Sequence, residues 1–257
     1  MNIHIYGEDS RLKYCQSYLE KHGSFAVKEL ILLPVPSSKD KKTVLGTNIL
    51  LEDIAGSFAD KDGCVPVCYG KYPALSSSFP QVIDLSEDEE YLAENAHLTS
   101  HATVGLLLTE EKRAPEDMRI GIIGYGRIGQ CLAKTLIFLG ARVTVFTTKA
   151  QTASRLCALG ICGIHLKGDR GAREDFADLD VLINTAPAKL IPDDADLYLS
   201  DTRVLELASG INIPPTVSST ALPSLPSKFY PASAGEAMGR AVIKGLCALA
   251  GKKGRSL

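Results

Sequence analysis

The stretch RIGIIGYGRIGQCLAKTLIFLGARVTVFTTKA, residues 119–150, decides the fold. RIGIIG is a short apolar run of strand type. Arg127 to Leu139 repeats its apolar residues at helical spacing and stops at Gly140, and RVTVF is a second strand. Strand, glycine turn, helix and strand in this order make one parallel βαβ unit. Gly124-x-Gly126-x-x-Gly129 falls on the turn between the first strand and the helix. Gly124 permits a tight turn, Gly126 lets a diphosphate approach the backbone, and Gly129 lets helix and strand pack closely. Free amides and the positive end of the helix dipole attract the phosphates. The candidate dinucleotide-binding residues on this turn are Gly124, Tyr125, Gly126, Arg127, Ile128 and Gly129.

The second strand ends on Phe146-Thr147-Thr148-Lys149. An NAD site would place Asp or Glu here to hold the ribose 2′-hydroxyl. A carboxylate would repel a 2′-phosphate, whereas two hydroxyls and a lysine can donate to one. Thr147, Thr148 and Lys149, with help from Arg127, therefore favour NADP, and NAD stays open as the alternative. A plainer reading is that Thr147 or Thr148 caps the next helix.

Working outward, strand and helix signals alternate along the whole chain. On the N-terminal side NIHIY, residues 30–33, VPVCY and QVIDL read as strands, with a helix from about Ser10 to Lys21. Leu30-Ile31-Leu32-Leu33 is a continuous apolar run, as in a parallel strand covered on both faces. Ser86-Glu87-Asp88-Glu89 reads as a capping box for a helix running to about Lys112. On the C-terminal side come a helix from Thr152 to Leu159 and strands at GIHL, VLINT and RVLEL. Residues 211–232 read as an ordered loop, and Ser233 to Ala250 as a last helix. This rhythm specifies an α/β protein. The expected fold is a doubly wound parallel sheet of the Rossmann type plus a smaller N-terminal α/β, flavodoxin-like domain, joined by a long helix. The expected boundaries are residues 1–94 for the N-terminal domain and 95–235 for the dinucleotide domain, with the last helix, 236–257, a candidate to pack back on the first.

Composition excludes several classes. The 257 residues carry 28 basic and 30 acidic side chains, a formal net charge of −2, with no nucleic-acid footprint. No apolar stretch approaches the ~20 residues that span a bilayer, and MNIHIYGEDSR has no signal-peptide pattern. Seven scattered cysteines suggest reduced thiols and a cytoplasmic setting. The Cys64/Cys68 and Cys157/Cys162 spacings are not CxxC pairs, so no metal is expected.

The residues also carry a family resemblance. YGEDSR, ILLPVPSSKD, ENAHLTSHA, LINTAP, LELASG and LPSLPSKFYPASAG, together with the glycine segment, are similar to the A-subunit family of dipicolinate synthase. The resemblance runs over nearly the whole chain. It implies an N-terminal α/β domain facing a Rossmann domain across a cleft. It also implies oxidation of dihydrodipicolinate to dipicolinate with NADP as hydride acceptor, during sporulation in the mother-cell cytoplasm. The implied partner is a flavoprotein-like B subunit, and a homodimer is one assembly left open. The sequence departs from the family pattern at three places. Thr147-Thr148-Lys149 stands where an arginine is expected, Thr99-Ser100-His101-Ala102 where Thr-Ala-Glu-Gly is expected, and Leu225-Pro226-Ser227-Lys228 where Leu-Pro-Gly-Lys is expected.

Ligands in doubly wound sheets bind beyond the carboxyl ends of strands. Thr185, Ala186 and Pro187 are expected along the cofactor ribose, and Ser209 near the nicotinamide. The dicarboxylate that the resemblance implies needs cationic or hydroxyl donors. Ser37, Ser38, Lys39 and Lys228 are the candidates, with Asn95 and Thr99 placed to orient substrate. His97 and His101 share a helix face, and Leu98 stands where a zincin would need Glu. His101 is the candidate base, and Lys228 and Ser209 complete the catalytic set. Two alternatives stay open: an NAD-dependent 2-hydroxyacid dehydrogenase-like enzyme, and an inactive nucleotide-binding or regulatory relative.

Overall fold

The computed structural model describes residues 1–23, 25, 27–58, 63–166, 176 and 178–253. The chain divides into two units, Met1–Asn95 with Pro226–Leu257, and Ala96–Leu225.

The first unit holds a parallel sheet ordered β1-β2-β3-β4, made of Asn2–Ile5, Glu29–Leu32, Cys64–Cys68 and Ile83–Asp84. Side chains alternate across it, as a strand's period of two requires. Leu30 and Leu32 join Leu12, Leu19, Val65, Val67 and Met238 on one face. Ile31 and Leu33 join Leu51, Ile54, Cys64 and Cys68 on the other. Both faces are covered, which is why the strands read as unbroken apolar runs. Burial pushes the Cys15 and Cys68 thiols up to about 12, so they sit in the core as protonated, inert groups. Helix α1, Arg11–His22, lies against the last helix. A Cβ on Gly235 would stand 2.5 Å from the Arg11 carbonyl oxygen, and one on Gly239 would stand 2.6 Å from the Tyr18 ring. Small residues at these positions let the two helix backbones approach.

Two short helices here lie outside the sequence expectations: α2, Leu51–Phe58, and α3, Pro73–Ser78. The long helix α4 spans Glu89–Glu110, and its cap differs from the expected box. The Ser86 hydroxyl donates instead to Asp84 Oδ1 at 2.7 Å, inside a 3₁₀ turn over Leu85–Glu87. Asp88 takes the cap, accepting the Glu90 and Tyr91 amides at 3.0 Å each. The turn consumes Ser86 and leaves the next extended residue to start the helix.

The second unit holds a six-stranded parallel sheet ordered β10-β9-β8-β5-β6-β7. Its strands are β5 Arg119–Ile123, β6 Arg142–Thr147, β7 Cys162–His165, β8 Val181–Asn184, β9 Arg203–Glu206 and β10 Ser219–Ala221. From β5 the chain winds outward through β6 and β7, then returns to the other side of β5 for β8, β9 and β10. The β5/β8 junction is therefore the topological switch point, where ligands bind in such sheets. Helix α5, Arg127–Phe138, buries Leu132, Ala133 and Leu136 on the sheet against Ile120, Ile122, Val143 and Val145. Val104 and Leu107 of α4 join the same cluster. The opposite face is filled by Phe146, Phe176, Leu182 and Val204. Helix α6 covers Ala150–Ala158 and a one-turn helix, α7, covers Asp196–Leu199. Strand β10 and helix α8, Leu225–Phe229, fall inside the segment that reads as loop. The last helix, α9, is Pro231–Lys253.

Candidate functional site

The switch point is built from the glycine turn on one side and the loop after β8 on the other. Gly124 has φ +94°, and a Cβ there would meet Thr185 Oγ1 at 2.8 Å. A Cβ on Gly129 would meet the Gly124 carbonyl oxygen at 2.3 Å, so only glycine lets α5 start this close to β5. Around Gly126 the situation is reversed: a Cβ would find nothing within 4 Å. Gly124 and Gly129 are hemmed in by protein, and Gly126 faces open space.

Gly126 is the N-cap of α5 and has no side-chain oxygen to cap the helix. The Gln130 amide donates to the Gly126 carbonyl at 2.9 Å. The Ile128 and Gly129 amides precede that bond and lie outside the helix's own ladder, as at any helix start. Thr185 seals the turn from below, its hydroxyl donating to the Ile123 carbonyl at 2.9 Å.

A cavity of about 350 Å³ opens over this turn, lined among others by Gly124, Tyr125, Gly126, Thr147, Thr148, Lys149, Thr152, Thr185, Ala186 and Pro187. Nine of the thirteen dinucleotide candidates thus line one cavity. Arg127 is exposed, Ile128 half-buried and Gly129 buried at the start of α5. Thr147 is buried, and its Oγ1 accepts the Lys149 amide at 3.2 Å. Lys149 is the N-cap residue of α6, and Thr148 and Lys149 are both exposed. Thr152, also on this wall, has no sequence signal of its own.

The nicotinamide-side candidate Ser209 is exposed, and its carbonyl accepts Asn212 Nδ2 at 3.1 Å. Beneath it lies a polar pair that sequence reading passed over. Asn184 closes β8 and Glu206 closes β9, and they face each other in the ladder. Asn184 Nδ2 donates to both Glu206 oxygens at 3.0 and 3.1 Å, and the Ala208 amide donates to Oε1 at 2.8 Å. Asn184 also holds its own loop, donating to the Ala186 carbonyl at 3.0 Å and accepting the Ala186 amide at 3.1 Å. Burial raises the Glu206 carboxyl above its ordinary range, against the hydrogen bonds from Asn184, Ala208 and Asn212. The available signal was a polar residue closing an otherwise apolar buried strand, in VLIN and again in RVLE.

The substrate-side candidates divide between the units. Ser37, Ser38, Lys39, Asn95 and Lys228 belong to the first, and Thr99 and His101 to the second. Ser37 is fully buried: its hydroxyl donates to the Pro34 carbonyl and accepts the Tyr69 amide, both at 2.8 Å. Ser38 donates to Asp40 Oδ1 at 2.9 Å. Both hydroxyls thus brace the loop after β2. Lys39 and Lys228 are exposed, Asn95 is half-buried and Thr99 is buried. His97 and His101 are one turn apart on α4 with ring centroids 4.0 Å apart. Burial, then the neighbouring His97, lowers the His101 pKa below its ordinary 6.5. Among the described residues no group of three or more His, Cys, Asp or Glu could hold a metal, and no helix is long and apolar enough to cross a membrane.

Comparison with known proteins adds to this geometry. No protein-family model matches the chain. In sequence it is 23% identical over 183 residues to the dipicolinate synthase A subunit of Bacillus subtilis, a match covering 68% of this chain and 61% of that relative. The crystal structure of the Bacillus subtilis dipicolinate synthase A chain superposes with a TM-score of 0.78 at 19% identity, covering 98% of this chain and 97% of that one. The chain resembles the dipicolinate synthase A subunit. The architecture extends beyond that protein. D-lactate dehydrogenase with NAD+ from Lactobacillus jensenii superposes with a TM-score of 0.52 at 13% identity, covering 98% of this chain and 97% of that one. The shared fold is that of the D-2-hydroxyacid dehydrogenases, with parallel sheets and no closed barrel.

Proposed function

We propose that the chain is the nucleotide-binding component of an oxidoreductase that converts dihydrodipicolinate to dipicolinate, with NADP as hydride acceptor. The reading extends to a role in sporulation and to action with a flavoprotein-like B subunit. Both extensions draw on the similarity to the dipicolinate synthase A subunit. The observation that carries the reading is the built glycine turn, with open space at Gly126 and a strand end bearing Thr147, Thr148 and Lys149. The reacting ring becomes aromatic on losing a hydride and a proton, so alignment and a base are what the protein must supply. A bound nicotinamide supplies the hydride acceptor. The chain's own residues hold the diphosphate on α5's amides, receive the 2′-phosphate and take the proton.

Lys149 is the 2′-phosphate donor in this reading. Lys149→Ala should weaken NADP+ binding about five- to tenfold, the loss of one charge-assisted contact. NAD+ binding should stay unchanged. Titration calorimetry with both nucleotides checks this, and an equal loss for the two would remove the 2′-phosphate assignment.

His101 takes the proton. Because its pKa lies below 6.5, the imidazole is neutral and basic at pH 7. The rate should fall on acidification through a limb below about pH 6.5 and be level above it. His101→Asn should lose this limb and roughly a hundredfold in rate. His97→Asn removes a like-charged neighbour and should move the limb upward.

The activity itself is tested by nicotinamide absorbance, using purified protein, NADP+ and dihydrodipicolinate generated in place, with and without the B subunit. Reduction of NADP+ supports the reading. Nucleotide binding without turnover, even when the B subunit is present, would instead leave a nucleotide-binding protein.

A further inference from the structure

The strands of the second unit end, in order from β5 to β10, on Ile123, Thr147, His165, Asn184, Glu206 and Ala221. Glu206 is the one carboxylate among them, and it is 7% exposed. Among the described residues, the groups that hydrogen-bond to its oxygens are neutral donors: Asn184 Nδ2, the Ala208 amide and the Asn212 side chain. Among the described residues no lysine or arginine pairs with it. Such a ring of donors is satisfied by an ionised carboxylate, since a proton on either oxygen would face another donor. The result is a buried negative charge with its hydrogen bonds made and no cation among the described residues to compensate it. A lone buried charge of this kind is costly, and a cation brought beside it recovers that cost.

Topology says where the cation comes from. The glycine turn follows β5, in the middle of the sheet, with β6 on one side and β8 then β9 on the other. A dinucleotide held by its diphosphate at the turn, with its adenosine half at Thr147–Lys149, runs its second half toward the ends of β8 and β9. The oxidised nicotinamide ring carries a positive charge, and the reduced ring is neutral.

We infer that Glu206, held by Asn184, makes this site select the oxidised, cationic nicotinamide over the reduced form. The inference rests on the dinucleotide reading above and adds a specificity determinant to it. It also gives the site a direction. A protein whose bound nucleotide must take up hydride gains from holding the oxidised form and releasing the reduced one. Glu206 is a positioning and selecting residue here, acting through its charge and through the two loops it ties together.

The test is binding, not turnover. Dissociation constants for NADP+ and NADPH are measured by calorimetry on the purified full chain and on Glu206→Gln and Glu206→Asp. Thermal denaturation serves as the folding control. The wild type should bind NADP+ more tightly than NADPH. In Glu206→Gln, which keeps the shape and loses the charge, that preference should shrink at least about tenfold, the effect of one charge within about 12 Å at an effective dielectric constant near 20. Glu206→Asp keeps the charge and should keep the preference even where both affinities fall. A purely structural role predicts equal losses for both nucleotides in both variants, and that result overturns the inference. So does a wild type that binds NADPH as tightly as NADP+, which needs no variant at all. If neither nucleotide binds the wild type, the dinucleotide reading itself has failed. If both bind with a ratio indifferent to Glu206→Gln, that reading stands and the role of Glu206 falls.

Discussion

Gly126→Ala should leave the protein folded and unable to hold a dinucleotide, whereas Gly129→Ala should damage the fold. The two residues are three apart on one turn, and the difference comes from what surrounds each Cβ. At Gly126 a methyl meets no protein atom within 4 Å. The backbone there, at φ −79° and ψ −165°, suits alanine. Stability should change by less than about 0.5 kcal/mol. The methyl projects into the space where a diphosphate must touch backbone, so NADP+ affinity should fall at least tenfold. At Gly129 the methyl lies 2.3 Å from the Gly124 carbonyl oxygen and 3.1 Å from its carbon. Both are backbone atoms and cannot rotate away, so α5 must shift from β5. That places the cost at the upper end of overpacking, about 3 kcal/mol, or roughly 6–12 °C in melting temperature. Thermal denaturation with calorimetry on both variants checks the pair. A Gly126→Ala protein that binds NADP+ like the wild type would mean that no phosphate approaches this backbone.

The other large effect is expected in the first unit. Arg11 is 2% exposed and forks onto Asp9, with Nε at 2.9 and 3.0 Å from the two carboxylate oxygens and Nη2 at 2.6 Å from Oδ2. Nη2 also donates to the Val35 carbonyl, and Asp9 Oδ2 accepts the Val35 amide at 3.1 Å. The pair therefore ties the loop after β1 to the loop after β2. Removing one partner of such a pair strands a buried charge, and Arg11→Met should destabilise by about 3–5 kcal/mol in urea denaturation. The pH dependence carries a second signature. Burial alone would raise the Asp9 carboxyl, but the Arg11 hydrogen bonds and charge outweigh it and hold the pKa below 3.8. A depressed carboxylate contributes stability above its unfolded pKa and loses it as pH falls through the folded one. The wild type should therefore weaken below about pH 4. In Arg11→Met the same carboxyl is buried without its cation, its pKa rises, and the slope reverses: the variant gains stability as pH falls toward 4. Parallel slopes would show that Arg11 does not control Asp9.

Much of the second unit was legible because its signals are local. Apolar period, glycine spacing and helix stops lie within thirty residues of one another in 119–150, and five of the six strands show as apolar runs between helices, while their order in the sheet is set by the pairing. The capping box was misread because Ser86 and Glu89 match the pattern in sequence, while the 3₁₀ turn that consumes Ser86 depends on Asp84 at the end of β4. Helix α2 does carry a helical stripe, Leu51, Ile54, Ala55 and Phe58, but over only eight residues, and α3 has just six. Strand β10 has three residues, and it is a strand only because β9 pairs with it.

The site divides along the same line. The residues of the glycine turn and of the β6 end were readable one by one, since backbone freedom and side-chain charge are properties of the residue itself. Ser37 and Ser38 looked like donors in sequence. In the fold their hydroxyls go to Pro34 and Asp40, because a buried loop must satisfy its own polar groups before any ligand arrives.

Sequence by itself determined that this protein is α/β, where its glycine turn lies, and that no acid guards the strand end beside it. Tertiary structure decided that Glu206 meets Asn184, that Arg11 is sealed against Asp9 and Val35, and that the Ser37 and Ser38 hydroxyls are spent on their own loop. The reason is range. Propensity, period and turn chemistry act between residues a few positions apart. A buried charge acquires its meaning from neighbours that only strand pairing and helix packing bring within 3 Å.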